Sequence, residues 1–453
     1  MKKFTISIIA TIFILTNNFY YSIAQNPSEI EYKRCLSGEI WQKQMEKPEF
    51  ARKNQINEAI IREYSPKLMP MIQKLSNSTS EKTAITKYKI PVVVHVIHEG
   101  GEENITDQQI RSQISVLNED FQKRQSSKSI GVGGANASVE FFLAKFAPNG
   151  DSTKGITRHY SYNTTHSASN TDEIKYFRLL EWDRNRYLNI WVVKSIDKTV
   201  LGYCPGGTMS SEIDGLVVRA RNFGKVGNIS PPYHYGTTAT HEIGHWLGLM
   251  HTFSGCCLEK DDCNSCGDLV CDTPNSSTEV HGCPENEINS CLDWPLDIPD
   301  IKFNYMSYFH DNCMNNFTEG QVGRMWSVLD NFRTYIWSEE NLKSTGYYQI
   351  INSKEELISS IKFHLQPNPA SEFLYFYLEN EVMESNLGSI EITDMLGKVL
   401  KEINLKQRVE NINNSTSQSN DEISISVSDL SNGIYLAKVK TTNGNWVQKW
   451  IKN

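Results

Sequence analysis

The chain has 453 residues, of which 39% are hydrophobic and 22% charged. That length is more than one core normally organises, so two or three domains are expected, and the composition excludes large-scale disorder. A formal net charge of −8 argues against a general nucleic-acid binder. At the N-terminus, Lys2 and Lys3 precede a mostly apolar run over 6–15, and Ser22-Ile23-Ala24 supplies small residues before Gln25. This is the pattern of a secretory signal peptide, assigned to residues 1–24. A retained membrane anchor is the alternative. Polar Asn17 and Asn18 end the apolar run early, however, and no later stretch reaches the ~18 apolar residues of a membrane helix.

Residues 25–87 read as a prosegment. A charged, helical stretch over 39–64 is followed by a polar stretch over 76–87 that suits a processing linker. Cys35 is the only cysteine of this segment, while the other nine lie between Cys204 and Cys313. Ten cysteines fit an oxidising compartment, where an isolated thiol needs an explanation. A thiolate is a good zinc ligand, so Cys35 is a candidate for an open metal position. An unpaired or intermolecular cysteine is the alternative.

Residues 88–340 carry expected strands over 92–97, 138–145, 188–193 and 215–219, and an expected helix over 107–120. Within the next helix, over 237–249, lies His241-Glu242-Ile243-Gly244-His245-Trp246-Leu247-Gly248-Leu249-Met250-His251. His241 and His245 are four residues apart, so one helix face presents both imidazoles to one metal. Glu242 beside them is placed as general base. Gly248 lets the backbone leave the helix through a conformation that a Cβ would resist, which brings His251 round as third ligand. Three protein ligands leave a fourth position open, the mark of a catalytic rather than a structural zinc.

Downstream, Asn304-Tyr305-Met306-Ser307-Tyr308 resembles the Met-turn of metzincin peptidases. Further segments are similar to the pappalysin family of metzincins. They are Pro91-Val92-Val93-Val94-His95-Val96-Ile97, Leu117-Asn118-Glu119-Asp120-Phe121 and Leu188-Asn189-Ile190-Trp191-Val192. Beyond the zinc helix come Gly267-Asp268-Leu269-Val270-Cys271-Asp272-Thr273-Pro274, Gly282-Cys283-Pro284 and Phe317-Thr318-Glu319-Gly320-Gln321. The resemblance covers about 88–340. It implies an α+β metzincin-like catalytic domain: a twisted sheet plus zinc helix above an irregular lower part, with a cleft between. It implies Met306 as an apolar floor under the histidines, and Tyr308 follows where a phenol could reach the oxyanion of a tetrahedral intermediate. It implies a Cys283–Cys313 disulfide, and pairs Cys291 with a cysteine soon after the third histidine, for which Cys256, Cys257 and Cys263 are candidates. Prosegments of the family carry a cysteine in a setting like Arg34-Cys35. A Cys266–Cys271 bridge and a second zinc site built on Cys263 and Cys266 remain open readings.

Asp268, Asp272 and Thr273 offer hard oxygen ligands suited to structural calcium, which family members bind around this segment; a solvated acidic turn is the alternative. Microbial relatives tend to cleave before a basic residue. Asp311 is the only carboxylate between Tyr308 and Cys313, which makes it the candidate for a pocket accepting Arg or Lys; capping a loop or binding an ion is the alternative. The strand over 215–219 is the expected partner of an extended substrate.

Residues 341–361 read as a linker. From 362 the texture changes to short alternating strands and turns, indicating a small all-β sandwich over 362–453, with a polar excursion over 407–422. Its Pro367-Asn368-Pro369-Ala370 opening, Asp394-Met395-Leu396-Gly397-Lys398 turn and Leu430-Ser431-Asn432-Gly433-Ile434-Tyr435 strand resemble the C-terminal sorting domain of type IX secretion cargo in Bacteroidetes. That implies export by a Gram-negative bacterium through the type IX machinery, with no transmembrane segment after signal removal. The resulting expectation is a secreted zinc endopeptidase made as a latent zymogen, acting on extracellular proteins or peptides. A non-catalytic surface adhesin with a relic zinc site is the alternative.

Overall fold

The structure is a computed structural model. It describes residues 32–76, 87–123, 134–205, 213–255, 263, 266–292, 297–350, 363–378, 387–395, 397–404, 422–441 and 444–453. The expected signal peptide and most of the expected processing stretch lie outside these residues. The chain divides into two compact units, Met1–Tyr347 and Tyr348–Asn453.

The first unit opens with strand β1 (Lys33–Cys35) and helices α1 (Ser37–Met45) and α2 (Pro48–Ser76). The single helix expected over 39–64 is thus two, broken before Pro48, and the second runs twelve residues further than its polar pattern suggested. Its apolar residues explain the length: Ile72 is buried, and Leu68, Met69 and Leu75 pack on the main core.

Then come β2 (Tyr88–His98), α3 (Asp107–Gln122), β3 (Val139–Leu143), β4 (Ile156–Tyr160), β5 (Thr165–His166), α4 (Thr171–Leu180), β6 (Leu188–Val193), β7 (Ser195–Ile196), β8 (Val200–Tyr203) and β9 (Gly215–Arg219). The strands form one sheet in the order β3-β2-β6-β9-β8-β7-β5, with β4 also on β2 and β1 on β8. The centre is parallel, from β3 through β2 and β6 to β9, and β8 turns antiparallel to β9. All six residues of β6 are buried, as a strand covered on both faces requires. On one face α3 buries Gln109, Ile110, Gln113, Val116, Leu117, Asp120 and Phe121, a stripe of helical period, behind an N-cap in which Thr106 accepts from Gln109 N.

Helix α5 (Thr237–Trp246) is buried at all ten positions. It ends three residues short of the expected 249, because Leu247 and Gly248 leave the helical path; φ of Gly248 is 85°. Helices α6 (Glu319–Phe332) and α7 (Glu339–Thr345) close the unit, α6 behind a reciprocal cap between Thr318 and Gln321. α7 occupies the start of what the sequence suggested was linker. It does so because Leu342 and Tyr347 are buried and Asn341 donates to the Ile336 carbonyl at 2.8 Å.

The second unit is all β. Strands β10 (Phe363–Gln366), β11 (Phe373–Leu378) and β14 (Glu422–Ser426) form one antiparallel sheet. Strands β13 (Val399–Asn404), β12 (Leu387–Thr393), β15 (Gly433–Thr441) and β16 (Gly444–Lys452) form another. One core draws on both sheets: Leu374, Phe376 and Ile425 from the first, Ile390, Ile392, Tyr435, Ala437, Val439 and Trp450 from the second. The period of two is visible in β15, where Tyr435, Ala437 and Val439 are buried and Ile434 is exposed. The excursion over 407–422 lies outside the described residues except for Glu422.

Candidate active site and metal centre

The site grows from α5. His241 and His245 project from adjacent turns, and the turn at Gly248 returns the chain so that His251 meets them. The three Nε2 atoms lie 3.1–3.2 Å from one another. His241 Nδ1 donates to the Tyr305 carbonyl at 2.6 Å and His245 Nδ1 to the Leu249 carbonyl at 2.9 Å. Those bonds fix the tautomer and leave the Nε2 lone pairs turned inward. Burial holds all three imidazoles in the neutral form, pushing His245 down to about 4 and His241 and His251 below the usual range.

Cys35 Sγ, from the end of β1, stands 3.5 Å from His245 Nε2. The four donor atoms lie within 4.8 Å of one another. A tetrahedral zinc with Zn–N of ~2.05 Å spaces its nitrogens roughly 3.3 Å apart, so this donor set fits one zinc ion. Burial, and after it the neighbouring Glu242 carboxylate, raises the Cys35 thiol well above its usual range.

Glu242 is fully buried. Its Oε2 accepts from Ser37 Oγ at 2.9 Å and lies 3.4 Å from Cys35 Sγ, while Oε1 has no hydrogen-bond partner among the described residues. Desolvation pushes its carboxyl up to about 8. Ser37 Oγ in turn accepts from Cys204 N at 2.8 Å. Atoms of Cys35 and Ser37 therefore cover both the candidate metal position and Glu242.

Met306 lies beneath the histidines against Gly244, where a Cβ would collide with its sulfur. The Tyr308 hydroxyl donates to the Cys35 carbonyl at 3.2 Å, and its ring meets His251 edge-on. A residue that the motifs contained without a role ties these parts together. Asp120 on α3 accepts from Thr240 of α5 and from the Tyr305 hydroxyl, each at 2.7 Å, fixing the zinc helix to the Met-turn.

Asp311 has no exposed surface. Its Oδ1 is 3.2 Å from Arg34 Nη1, and its Oδ2 accepts from Tyr235 N at 2.9 Å. The Arg34 guanidinium fills the rest of a closed pocket. It donates to the Phe309 carbonyl at 2.9 Å and to Thr237 Oγ1 at 3.0 Å, and lies over the Tyr233 ring. The sequence pointed to Asp311 and to the Arg34-Cys35 pair, but gave no sign that they meet. Tyr233, Thr237 and the Phe309 carbonyl carried no recognisable signal.

One expectation is corrected. The strand over 215–219 is not the rim of the cleft. β9 is hydrogen-bonded on both sides, to β6 and to β8, so it has no free edge for a substrate. Next to it lies β8, only four residues long, and it is β8 that β1 joins, Lys33 opposite Val200 and Cys35 opposite Gly202, in parallel.

The cysteines give another correction. Cys263 bonds Cys271, which excludes both the Cys266–Cys271 bridge and a second zinc site on Cys263, and removes Cys263 as partner for Cys291. Cys283 bonds Cys313. Cys266 and Cys291 are also disulfide-bonded, and Cys256 and Cys257 lie outside the described residues.

The candidate calcium ligands have partners of their own. Asp272 accepts from Thr318 Oγ1 at 2.7 Å and Gly320 N at 2.8 Å, capping α6. Thr273 Oγ1 donates to Asp268 Oδ1 at 2.7 Å. Asp268 Oδ2 is buried without a partner, and burial pushes the carboxyl up to about 7.

Comparison with known proteins agrees with this geometry. Residues 170–330 match the family described as pregnancy-associated plasma protein-A, and residues 364–453 match a secretion system C-terminal sorting domain. An extracellular metalloprotease of Arthroderma benhamiae is 32% identical over 280 residues, covering 60% of this chain and 89% of that protein. Extracellular metalloprotease 1 of Coccidioides posadasii is 34% identical over 267 residues, covering 56% and 82%. Among solved structures, a mutant of Tannerella forsythia promirolysin is 33% identical with a TM-score of 0.50, covering 67% of this chain and 97% of its own.

Proposed function

The chain belongs to the pappalysin family of metzincin metallopeptidases, and from that premise we propose that this secreted metalloprotease is a latent zinc endopeptidase that cuts before arginine or lysine. Its sorting domain marks it for export from a Gram-negative bacterium of the Bacteroidetes through type IX secretion.

The observation that carries the finer reading is the placement of Arg34-Cys35. Cys35 Sγ completes the donor set of His241, His245 and His251, and Arg34 sits in the closed pocket on Asp311. β1 runs parallel to β8, so the residue preceding the metal-facing one enters the pocket. An extended substrate running antiparallel along β8 would place the residue following its scissile bond there. This supports cleavage before a basic residue, and explains why a prosegment in the opposite direction is not itself cut. A buried carboxylate facing a guanidinium contributes about 1.5–3 kcal/mol, roughly ten- to a hundredfold over a neutral side chain.

When bound, zinc supplies a Lewis acid that polarises the scissile carbonyl and acidifies the attacking water. Glu242 takes the proton of that water and returns it to the leaving amine. Tyr308, whose hydroxyl already reaches a backbone carbonyl beside the histidines, donates to the developing oxyanion. β8 holds the peptide extended. Calcium rests on the buried, unpartnered Asp268 Oδ2 alone.

The test is cleavage-site profiling of the processed protein on a peptide library, with and without a zinc chelator. Chelator-sensitive cuts with Arg or Lys just after the bond are expected. A flat or apolar profile would overturn the specificity, and activity untouched by chelation would overturn the zinc assignment.

A further inference from the structure

The prosegment also grips the first unit away from the cleft. Glu58, on α2, forms a two-pronged ion pair with Arg324 of α6: Nη1 donates to Oε2 at 3.0 Å and Nη2 to Oε1 at 2.9 Å. The side chains are 15% and 5% exposed, so this is not a loose surface pair. The two helices are in contact here, since a Cβ on Gly323 would lie 3.5 Å from the Ser65 carbonyl oxygen. The same guanidinium turns its other edge to the backbone of the metal site. Nε and Nη2 donate to the Gly248 carbonyl at 3.3 and 3.1 Å. Gly248 is the residue whose positive φ turns the chain from α5 towards His251.

We propose that Arg324 is a positioning residue for His251 and that Glu58 sets it, so that α2 contributes to metal retention in the latent protein independently of Cys35. The inference rests on the zinc reading above. A guanidinium is a rigid planar fork, and a bidentate carboxylate on one edge fixes the plane that the other edge presents. The Gly248 carbonyl belongs to the turn that places His251, so its orientation bears on where that imidazole comes to rest. Groups that act behind the ligands govern metal affinity in this way. Loss of α2 would remove the carboxylate from one edge of the guanidinium, which permits Arg324 to shift and the turn to relax.

The experiment uses the full-length latent protein loaded with zinc and mixed with excess chromogenic chelator. Metal content is measured first, and the rate of zinc release follows. Glu58→Gln keeps the shape of the side chain and leaves Cys35 in place; release about tenfold faster than wild type is expected. Arg324→Lys keeps one donor for the Gly248 carbonyl but loses the fork, and is also expected to release zinc faster. The cobalt-substituted Glu58→Gln protein is expected to show a shifted visible spectrum, which mere loosening of a distant helix would not give. Glu63→Gln, on the same helix and paired with Lys67, serves as control and should release zinc at the wild-type rate. Wild-type release from Glu58→Gln, or equal acceleration by Glu63→Gln, would overturn the proposal. If Arg324→Lys does not fold, Glu58→Gln decides alone. A wild-type protein that holds no zinc would overturn the metal reading itself.

Discussion

Glu242 and Asp311 are both carboxylates without exposed surface, and their surroundings give them opposite tasks. Desolvation raises Glu242, which has no basic partner within hydrogen-bond reach, while Asp311 faces the Arg34 guanidinium and takes the Tyr235 amide. A carboxylate that must move a proton benefits from the first setting, and one that must hold a cation from the second. Glu242→Ala is expected to keep its metal, because His241, His245 and His251 are untouched, and to lose turnover by about a thousandfold or more. Metal analysis beside a peptide assay checks both halves, and full activity would sink the mechanism. Asp311→Asn should lower the preference for Arg or Lys after the cut by roughly ten- to a hundredfold while cleavage continues. A profile unchanged by that substitution would mean that Asp311 serves only the Tyr235 loop. Gly244 shows how little room the site leaves: its missing Cβ is the space that Met306 occupies.

At the scale of elements, the proposed latency rests on the pairing of β1 with β8. The three residues of β1 pair with the four-residue β8, and the α2 residues Leu68, Met69, Ile72 and Leu75 that follow pack on the main core. Cys35→Ala is therefore expected to give a proform that processes itself faster, with Arg34 and Ser37 still in place to slow it. A time course of processing decides; an equally latent variant would assign latency to those contacts rather than to the thiol. The centre of the sheet carries a separate pH dependence. His95 on β2 is buried between Thr157 Oγ1 at 2.7 Å and Asn189 Oδ1 at 3.0 Å, and burial lowers it to about 4. A folded pKa below the unfolded ~6.5 means that the unfolded chain takes the proton first, so stability falls as pH drops from about 6.5 towards 4. By pH 5 the loss is about 2 kcal/mol. His95→Gln, which keeps amide hydrogen bonding without titrating, should flatten the fall in melting temperature between pH 7.5 and 5. A slope identical to wild type would place the pH dependence elsewhere.

At the scale of the whole molecule, the chain separates chemistry from address. The candidate ligands, base and pocket all lie in the first unit, and the second has a core of its own drawn from two sheets. Deletion of residues 362–453 is expected to leave peptide cleavage by the processed first unit unchanged and to trap the protein within the cell envelope. Fractionation of cells and medium checks this, and normal release of the truncated chain would give the second unit another task.

Short-range spacing determined much of this protein from the sequence alone. The histidines, Glu242 and Gly248 lie within eleven consecutive residues, where helical period and one glycine turn dictate who meets whom. The period of two in 390–399 and 430–439 likewise announced the β-rich second unit. What lay beyond the sequence is separated by long stretches of chain. Arg34 meets Asp311 across 277 residues, Arg324 meets Glu58 across 266, and Asp120 meets Tyr305 across 185. The expectation for the strand over 215–219 failed for a related reason. Val200–Tyr203 is too short to display a period, although all four of its residues are buried, while the five-residue Gly215–Arg219 reads as the better strand. Which partners each strand takes is decided only when the whole sheet is assembled, and in this fold it is β8 that receives β1.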